Sequence, residues 1–218
     1  MPHNAPTDYQ VHLFHEGSLY DAYKLFGAHV IEENNKVYTR FTVFAPNARS
    51  IRLVGSFNNW NGEGYELLKV SEQGIWSVLI EANLSNEIYK YEIKAMSGEV
   101  ILKSDPYAFY SETRPNTASV VYPYDTKYRW GDQSWLKKRS KKNNTDEPLY
   151  IYEMHAGTWR KKIKDNDTFI PSDECKIENY YTYRELASEL IPYILEQGFT
   201  HIELMPLTEH PFDGSWGY

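Results

Sequence analysis

Lys36-Val37-Tyr38-Thr39-Arg40-Phe41-Thr42-Val43-Phe44 alternates with a period of two. Val37, Thr39, Phe41 and Val43 fall on one side of an extended chain, and Tyr38, Arg40, Thr42 and Phe44 on the other, as a strand with one face on a core requires. The same reading extends outward to residues 51–54, 75–80, 88–94 and 99–103, with Asn34-Asn35, Pro46-Asn47, Gln73-Gly74 and Ser97-Gly98 as the turns between strands. Short strands at this spacing predict a small antiparallel β-sandwich. Upstream, Ser18-Leu19-Tyr20-Asp21 has capping-box spacing, Leu19, Tyr23 and Phe26 follow at helical spacing, and Gly27 ends the run, so a short helix is expected there. Downstream, residues 104–124 lose the alternation, and Pro106, Pro115 and Pro123 predict an irregular connector.

A Lys/Asn/Asp-rich stretch over 125–147 reads as a linker, and a different grammar follows it. Leu149-Tyr150-Ile151-Tyr152-Glu153-Met154 is a near-continuous apolar run, as a strand buried on both faces should be. Thr182-Tyr183-Arg184-Glu185 is a capping box. Leu186, Leu190 and Ile194 then recur every four residues, Pro192 interrupts the backbone bonding, and Gly198 stands at the C-terminal cap. Residues 200–206 predict a second strand. Strand, helix and strand make a βαβ unit with parallel strands and a right-handed crossover. One such unit is far short of the roughly 250 residues of a closed (β/α)8 barrel, so residues 148–218 are expected to be the start of an incomplete barrel. The predicted organisation is therefore a helix and β-sandwich over 1–124, a linker over 125–147, and the barrel start over 148–218.

Composition excludes several classes. The 218 residues are 41% hydrophobic, with 23 basic and 30 acidic side chains and a net charge of -7, so the footprint of a nucleic-acid binder is missing. The one basic cluster, Lys137-Lys138-Arg139-Ser140-Lys141-Lys142, reads as part of a solvated linker. No run approaches the roughly 18 apolar residues of a membrane span, and Met1 to Pro6 lack the basic start and apolar stretch of a secretory leader. A single cysteine, Cys175, allows no intrachain disulfide, which predicts a reducing, cytoplasmic setting. The 19 tyrosines and 6 tryptophans are the anomaly: planar rings build cores, and they also build sugar-binding surfaces.

Gly55-Ser56-Phe57-Asn58-Asn59-Trp60 carries the sharpest local signal. A strand ends at Gly55, the asparagines favour a tight turn, and Trp60 is delivered beside them. It either caps the sandwich core or offers its flat face to a pyranose ring. Tyr89-Lys90-Tyr91 alternates on a strand and would set one amine beside such a platform, or in solvent. His12, His15 and Glu16 are metal-capable but lack a third ligand, so no metal or cofactor is expected. Gly62-Glu63-Gly64 lacks the remainder of a dinucleotide fingerprint and reads as a loop. His201 and Glu203 should share one face of the second parallel strand and be satisfied within a core. Glu209 to Tyr218 follows that strand, at the end where barrel active sites gather, and is either a sugar subsite or an ordinary loop.

At these residues the sequence resembles the 1,4-α-glucan branching enzymes of the α-amylase superfamily (glycoside hydrolase family 13). Leu13-Phe14-His15-Glu16-Gly17 and Leu25-Phe26-Gly27-Ala28-His29 resemble the lead-in. Phe44-Ala45-Pro46-Asn47-Ala48 and Gly55 to Trp60 resemble the immunoglobulin-like carbohydrate-binding module 48. Tyr152-Glu153-Met154-His155-Ala156-Gly157-Thr158-Trp159 resembles the first barrel strand, and 198–218 the second strand with its loop. The resemblance implies cleavage of an α-1,4 linkage and transfer to a 6-hydroxyl, giving an α-1,6 branch in glycogen, by retaining double displacement. The Asp nucleophile, the acid/base Glu and a third Asp of that mechanism are expected beyond residue 218, so no catalytic residue is expected within the chain and the chain alone is expected to be inactive. Glu153, Glu203, Glu209 and Asp213 match none of them. The resemblance further implies substrate binding by Tyr218, Trp60 as the glucan platform, and Lys90 as an amine contacting glucan hydroxyls. The second platform tryptophan of glycogen-binding relatives has no counterpart near residues 97–100. The partner implied is an α-glucan, glycogen or an amylose-like chain; a non-catalytic glucan-binding module is the alternative.

Overall fold

The structure, a computed structural model, describes residues 6–113, 115–123, 128–142, 146–162 and 179–208. The chain divides into two compact units, Met1–Arg129 and Trp130–Tyr218.

The first unit is built on two antiparallel sheets. One has the order β1 (Gly27–Glu33), β2 (Lys36–Phe44), β5 (Ile75–Ile80), β4 (Leu68–Lys69). The other runs β3 (Ala48–Gly55), β6 (Ile88–Ala95), β9 (Ser119–Val120), β8 (Tyr110–Ser111), with β7 (Val100–Lys103) also paired to β6. Thr39, Phe41 and Val43 point into a core shared with Ile51, Leu53, Trp76, Tyr89, Tyr91 and Val121, as the period of two requires. Asn34 and Asn35 take positive φ values of 52° and 61°, the backbone of a two-residue hairpin turn, which asparagine tolerates. Gly74 makes the other demanding turn: its φ is +104°, and a Cβ there would strike the Pro46 backbone.

Two expectations for this unit are corrected. The N-terminal helix lies at α1 (Asp8–Glu16), and residues 22–24 form only a 3-10 turn. The operative capping box is Thr7 with Gln10, closed by Gln10 N–H to Thr7 Oγ1 at 3.2 Å and Thr7 N–H to Gln10 Oε1 at 3.1 Å. Gly17, at φ +79°, ends that helix. Ser18 serves its C-terminus, donating to the Leu13 carbonyl rather than capping a new helix. The connector is also more ordered than its composition implied, because β8 and β9 pair within it and β9 joins β6 at Ile88 and Tyr89. Two-residue strands carry no period to read.

A buried carboxylate sits where the connector meets β6. Asp105 Oδ2 accepts hydrogen bonds from the hydroxyls of Tyr89 at 2.7 Å and Tyr91 at 2.9 Å. Oδ1 accepts from the Tyr107 N–H at 2.8 Å, and the Asp105 N–H donates to Ser119 Oγ at 2.8 Å. Burial pushes the Asp105 carboxyl above the ordinary carboxylate range, opposed by these hydrogen bonds. Burial, with the carboxylate beside them, drives both phenols well above theirs.

In the second unit β10 (Ile151–Met154) and β11 (His201–Leu204) pair in parallel, with Tyr152 opposite Ile202 and Met154 opposite Leu204. Between them runs α3 (Tyr183–Glu196), which continues through Pro192. Glu185 N–H donates to Thr182 Oγ1, and Glu185 returns the bond to the Thr182 N–H at 2.8 Å; Lys162, 2.6 Å away, helps hold that carboxyl down to about 2. At the far end Phe199 N–H reaches the Ile194 carbonyl and Gly198 N–H the Leu195 carbonyl, with φ +78° at Gly198. Leu186, Leu190 and Ile194 bury one helix stripe against Met154, Tyr152 and Phe199. One further expectation is corrected. His201 and Glu203 are exposed, not satisfied in a core, because α3 packs on Tyr152 and Met154 of β10 and leaves β11 exposed along its length. Within the stretch 125–147 lies one short helix, α2 (Gln133–Arg139), all of whose residues are exposed. No helix among the described residues is long and apolar enough to cross a membrane.

The Asp105 network yields a stability prediction. Asp105→Ala strands two buried hydroxyls, at a cost of about 3 kcal/mol or more. Because the folded state holds the Asp105 proton more tightly than the unfolded chain, stability is lost as pH rises from the ordinary carboxylate range through its raised pKa. Asp105→Asn removes that titration. Urea unfolding across this range should therefore show the natural protein losing stability relative to Asp105→Asn as pH rises.

Candidate functional site

Trp60 reaches the surface through a short, heavily bonded turn. After β3, residues 56–58 form one 3-10 turn. Asn58 Oδ1 accepts from the Gly55 N–H at 2.9 Å, and its Nδ2 donates to the Leu53 carbonyl at 2.9 Å. Trp60 N–H then closes on the Gly55 carbonyl at 2.9 Å. Gly55 is obligatory here, since a Cβ would collide with the Ile88 carbonyl oxygen and sit 2.6 Å from the Phe57 ring. Phe57 turns inward, its ring beside Phe41 and Tyr65. Asn59 and Trp60 follow with φ of 52° and 60°, two successive left-handed residues without a glycine. This turns the indole outward: Trp60 is 43% exposed and takes no part in the core, so the core-capping alternative is overturned.

Lys90 arrives on the neighbouring strand. Val54 of β3 lies opposite Lys90 of β6, and Gly55 opposite Tyr89. Tyr89 and Tyr91 face the core, so Lys90 faces outward, where its Nζ donates to Thr117 Oγ1 at 2.7 Å. Trp60 and Lys90 line one open cleft of about 410 Å³ with Ile88, Glu112, Asn116 and Thr117. The far wall is the 112–118 loop, held by Ala118 N–H to Glu112 Oε2 at 2.9 Å and by Asn116 Nδ2 to Glu112 Oε1 at 3.4 Å. An exposed indole face, an ammonium and a carboxylate within one groove can meet the apolar face and the hydroxyls of a sugar.

Sequence reasoning named Trp60 and Lys90 but missed Glu112, Asn116 and Thr117. These lie in the connector, where no periodicity marks them. Tyr218, Glu209 and Asp213 lie outside the described residues. His12 pairs at 3.5 Å with Glu16, and His15 contacts Ser71 Oγ at 3.2 Å. Among the described residues no three metal-capable side chains converge.

Comparison with known proteins follows the same division. Residues 25–108 match the family carbohydrate-binding module 48 (isoamylase N-terminal domain). The chain is 58% identical over 213 residues to the 1,4-alpha-glucan branching enzyme GlgB of Geobacillus stearothermophilus, covering 98% of this chain and 31% of that one. It is 48% identical over 214 residues to the 1,4-alpha-glucan branching enzyme GlgB of Bacillus subtilis (strain 168), covering 98% and 32%. The resemblance read from the sequence is thus borne out along nearly the whole chain, which spans about a third of the length of these relatives. Among solved structures, a type I pullulanase from Bacillus subtilis str. 168 complexed with maltose superimposes with a TM-score of 0.53 at 21% identity, over 85% of this chain and 24% of that one. A pullulanase from Bacillus acidopullulyticus gives 0.53 at 21% identity, over 84% and 22%. At such identities the likeness is one of fold.

The turn predicts an order of stabilities. Asn58→Ala leaves the Gly55 N–H and the Leu53 carbonyl without their partner and should cost about 1–3 kcal/mol. Asn58→Asp, which keeps the acceptor and loses the donor, should fall between it and the natural protein. Thermal unfolding of the three proteins checks this; equal melting temperatures would show the turn held by other means.

Proposed function

We propose that this chain is part of a 1,4-α-glucan branching enzyme, which cleaves an α-1,4 linkage and rejoins the released glucan through an α-1,6 linkage, and that its own share of that work is to hold the α-glucan. The observation that carries this is the cleft in which an outward-turned Trp60 and the Lys90 ammonium stand together, on a module of a carbohydrate-binding kind. The indole supplies a flat apolar surface for one face of a glucose ring. Lys90 spends one of its three donors on Thr117, and the other two are available to sugar hydroxyls. An α-glucan, glycogen or an amylose-like chain, is the ligand this arrangement suits. The reacting Asp, Glu and Asp belong to a part of the enzyme beyond this chain, with retention by double displacement.

The second unit supports the same reading. We read β10-α3-β11 as the first βαβ unit of a (β/α)8 barrel. Its helix packs on Tyr152 and Met154 of β10, while Ile151, Glu153, His201 and Glu203 share the opposite, exposed face. Glu153 and Glu203 are in register there, an unfavourable pairing of like charges unless further strands and side chains complete the surface. Tyr218, outside the described residues, would contact the substrate as the resemblance implies. The single cysteine fits a cytoplasmic setting.

Affinity electrophoresis through gels containing glycogen tests the binding share. The natural chain should be retarded; Trp60→Ala should weaken binding about tenfold, the worth of a good stacking contact, and Lys90→Ala less. Equal retardation of all three would remove Trp60 from the site. The natural chain should leave amylose unbranched, and branching by it alone would contradict the placement of the reacting carboxylates.

A further inference from the structure

The basic cluster of 137–142 is not spread evenly over a solvated linker. Trp135, Lys138, Arg139 and Lys142 fall at i, i+3, i+4 and i+7, which places them on one face of α2 and the turn that continues it, while Lys137 and Lys141 fall on the other. That face forms one wall of a cleft of about 630 Å³. The rest is made by Glu147, Pro148 and Leu149 before β10 and by Thr200 and His201 at the start of β11. Three cations face one carboxylate. Glu147 pairs with Lys142, and among the described residues neither Lys138 nor Arg139 pairs with any carboxylate. In a chain of net charge -7, this is a local surplus of positive charge within a concavity.

We propose that this cleft binds a phosphate monoester carried on a sugar. The Arg139 guanidinium lies 5.2 Å from the Trp135 ring centroid, which orients its planar fork instead of leaving it to wander in solvent. Lys138 adds a second charge beside it, so a phosphate dianion would gain two charge-assisted partners. Thr200 Oγ1 accepts from the Tyr150 N–H at 2.9 Å and lies 2.8 Å from His201 Nδ1, so both polar groups of the opposite wall are held in place. The exposed Trp135 face and Leu149 offer the apolar surface that a sugar ring, and not inorganic phosphate, would use. Favourable alignment with the helix dipole accounts for basic residues in a last helical turn. It does not account for an aromatic ring and two cations, without a carboxylate partner among the described residues, lining one concavity. The proposal is independent of the glucan reading, since it uses neither Trp60 nor Lys90.

Isothermal titration of the 218-residue chain with glucose 6-phosphate, inorganic phosphate and glucose tests it. Saturable binding is expected for the hexose phosphate, weaker binding for phosphate, and none for glucose. Lys138→Glu/Arg139→Glu should weaken hexose-phosphate binding about tenfold or more, as loss of two charge-assisted contacts implies. Trp135→Ala should bring the hexose phosphate down to the affinity of inorganic phosphate, which also tests the site should the double variant fail to fold. Lys137→Glu/Lys141→Glu makes the same change in net charge on the other helix face and should leave binding intact. Equal loss in both double variants, no preference over glucose, or retention of a short DNA duplex in place of the hexose phosphate would overturn the proposal. Equal affinity for phosphate and hexose phosphate would reassign the ligand to the free anion and overturn the sugar half of it.

Discussion

The Asp105 carboxylate is the constraint on which the first unit turns. It draws two tyrosine hydroxyls of β6 inward, at 2.7 and 2.9 Å, and its own N–H fixes Ser119 at the root of β9. Because successive side chains of a strand point to opposite faces, holding Tyr89 and Tyr91 in the core leaves Lys90 only the outer face. The same network fixes the two ends of the connector that carries Glu112, Asn116 and Thr117. A buried acid is expensive, as the upward pressure on its pKa shows. Three hydrogen bonds to the carboxyl offset that cost, and the return is a cleft whose two walls come from segments far apart in sequence.

Much of this was legible because strands announce themselves through period two. The β2, β5 and β6 stretches read correctly to within a residue, since each buries an alternating face. What failed did so for a shared reason. Helix α1 has no fully buried residue, so its apolar stripe is thin, and its signal was the Thr7–Gln10 box rather than Ser18. Strand β1 reads Gly-Ala-His-Val-Ile-Glu-Glu, whose alternation is weak because its outer residues meet the edge of the sheet. The 112–118 wall depends on side chain to backbone bonds that no periodicity encodes. Trp60 stood out from the sequence as a tryptophan beside two asparagines. That it faces outward could be decided only by the φ angles.

The second unit shows the opposite balance. Both caps of α3 were visible in the chain, the Thr182–Glu185 box and Gly198, and the bonds form as those residues require. The segment before it is solvated, as its composition implies, and what composition leaves out is the spacing of its charges. Five basic residues within six positions look like a solvated tether when counted, but at helical angles three of them join Trp135 on one side. Net charge sums over directions, and recognition depends on direction.

The turn at 58–60 illustrates how strain and exposure are linked. Left-handed backbone at a bulky residue costs of order 1–3 kcal/mol and persists only where the surroundings over-determine it. Here Asn58 makes two bonds to β3, Trp60 N–H closes on the Gly55 carbonyl, Phe57 is anchored beside Phe41, and Ser56 Oγ accepts from the Ile88 N–H at 3.1 Å. A glycine at position 60 would relieve the backbone but remove the ring. The combination leaves the large indole 43% exposed. The strain is thus spent on the direction of the indole.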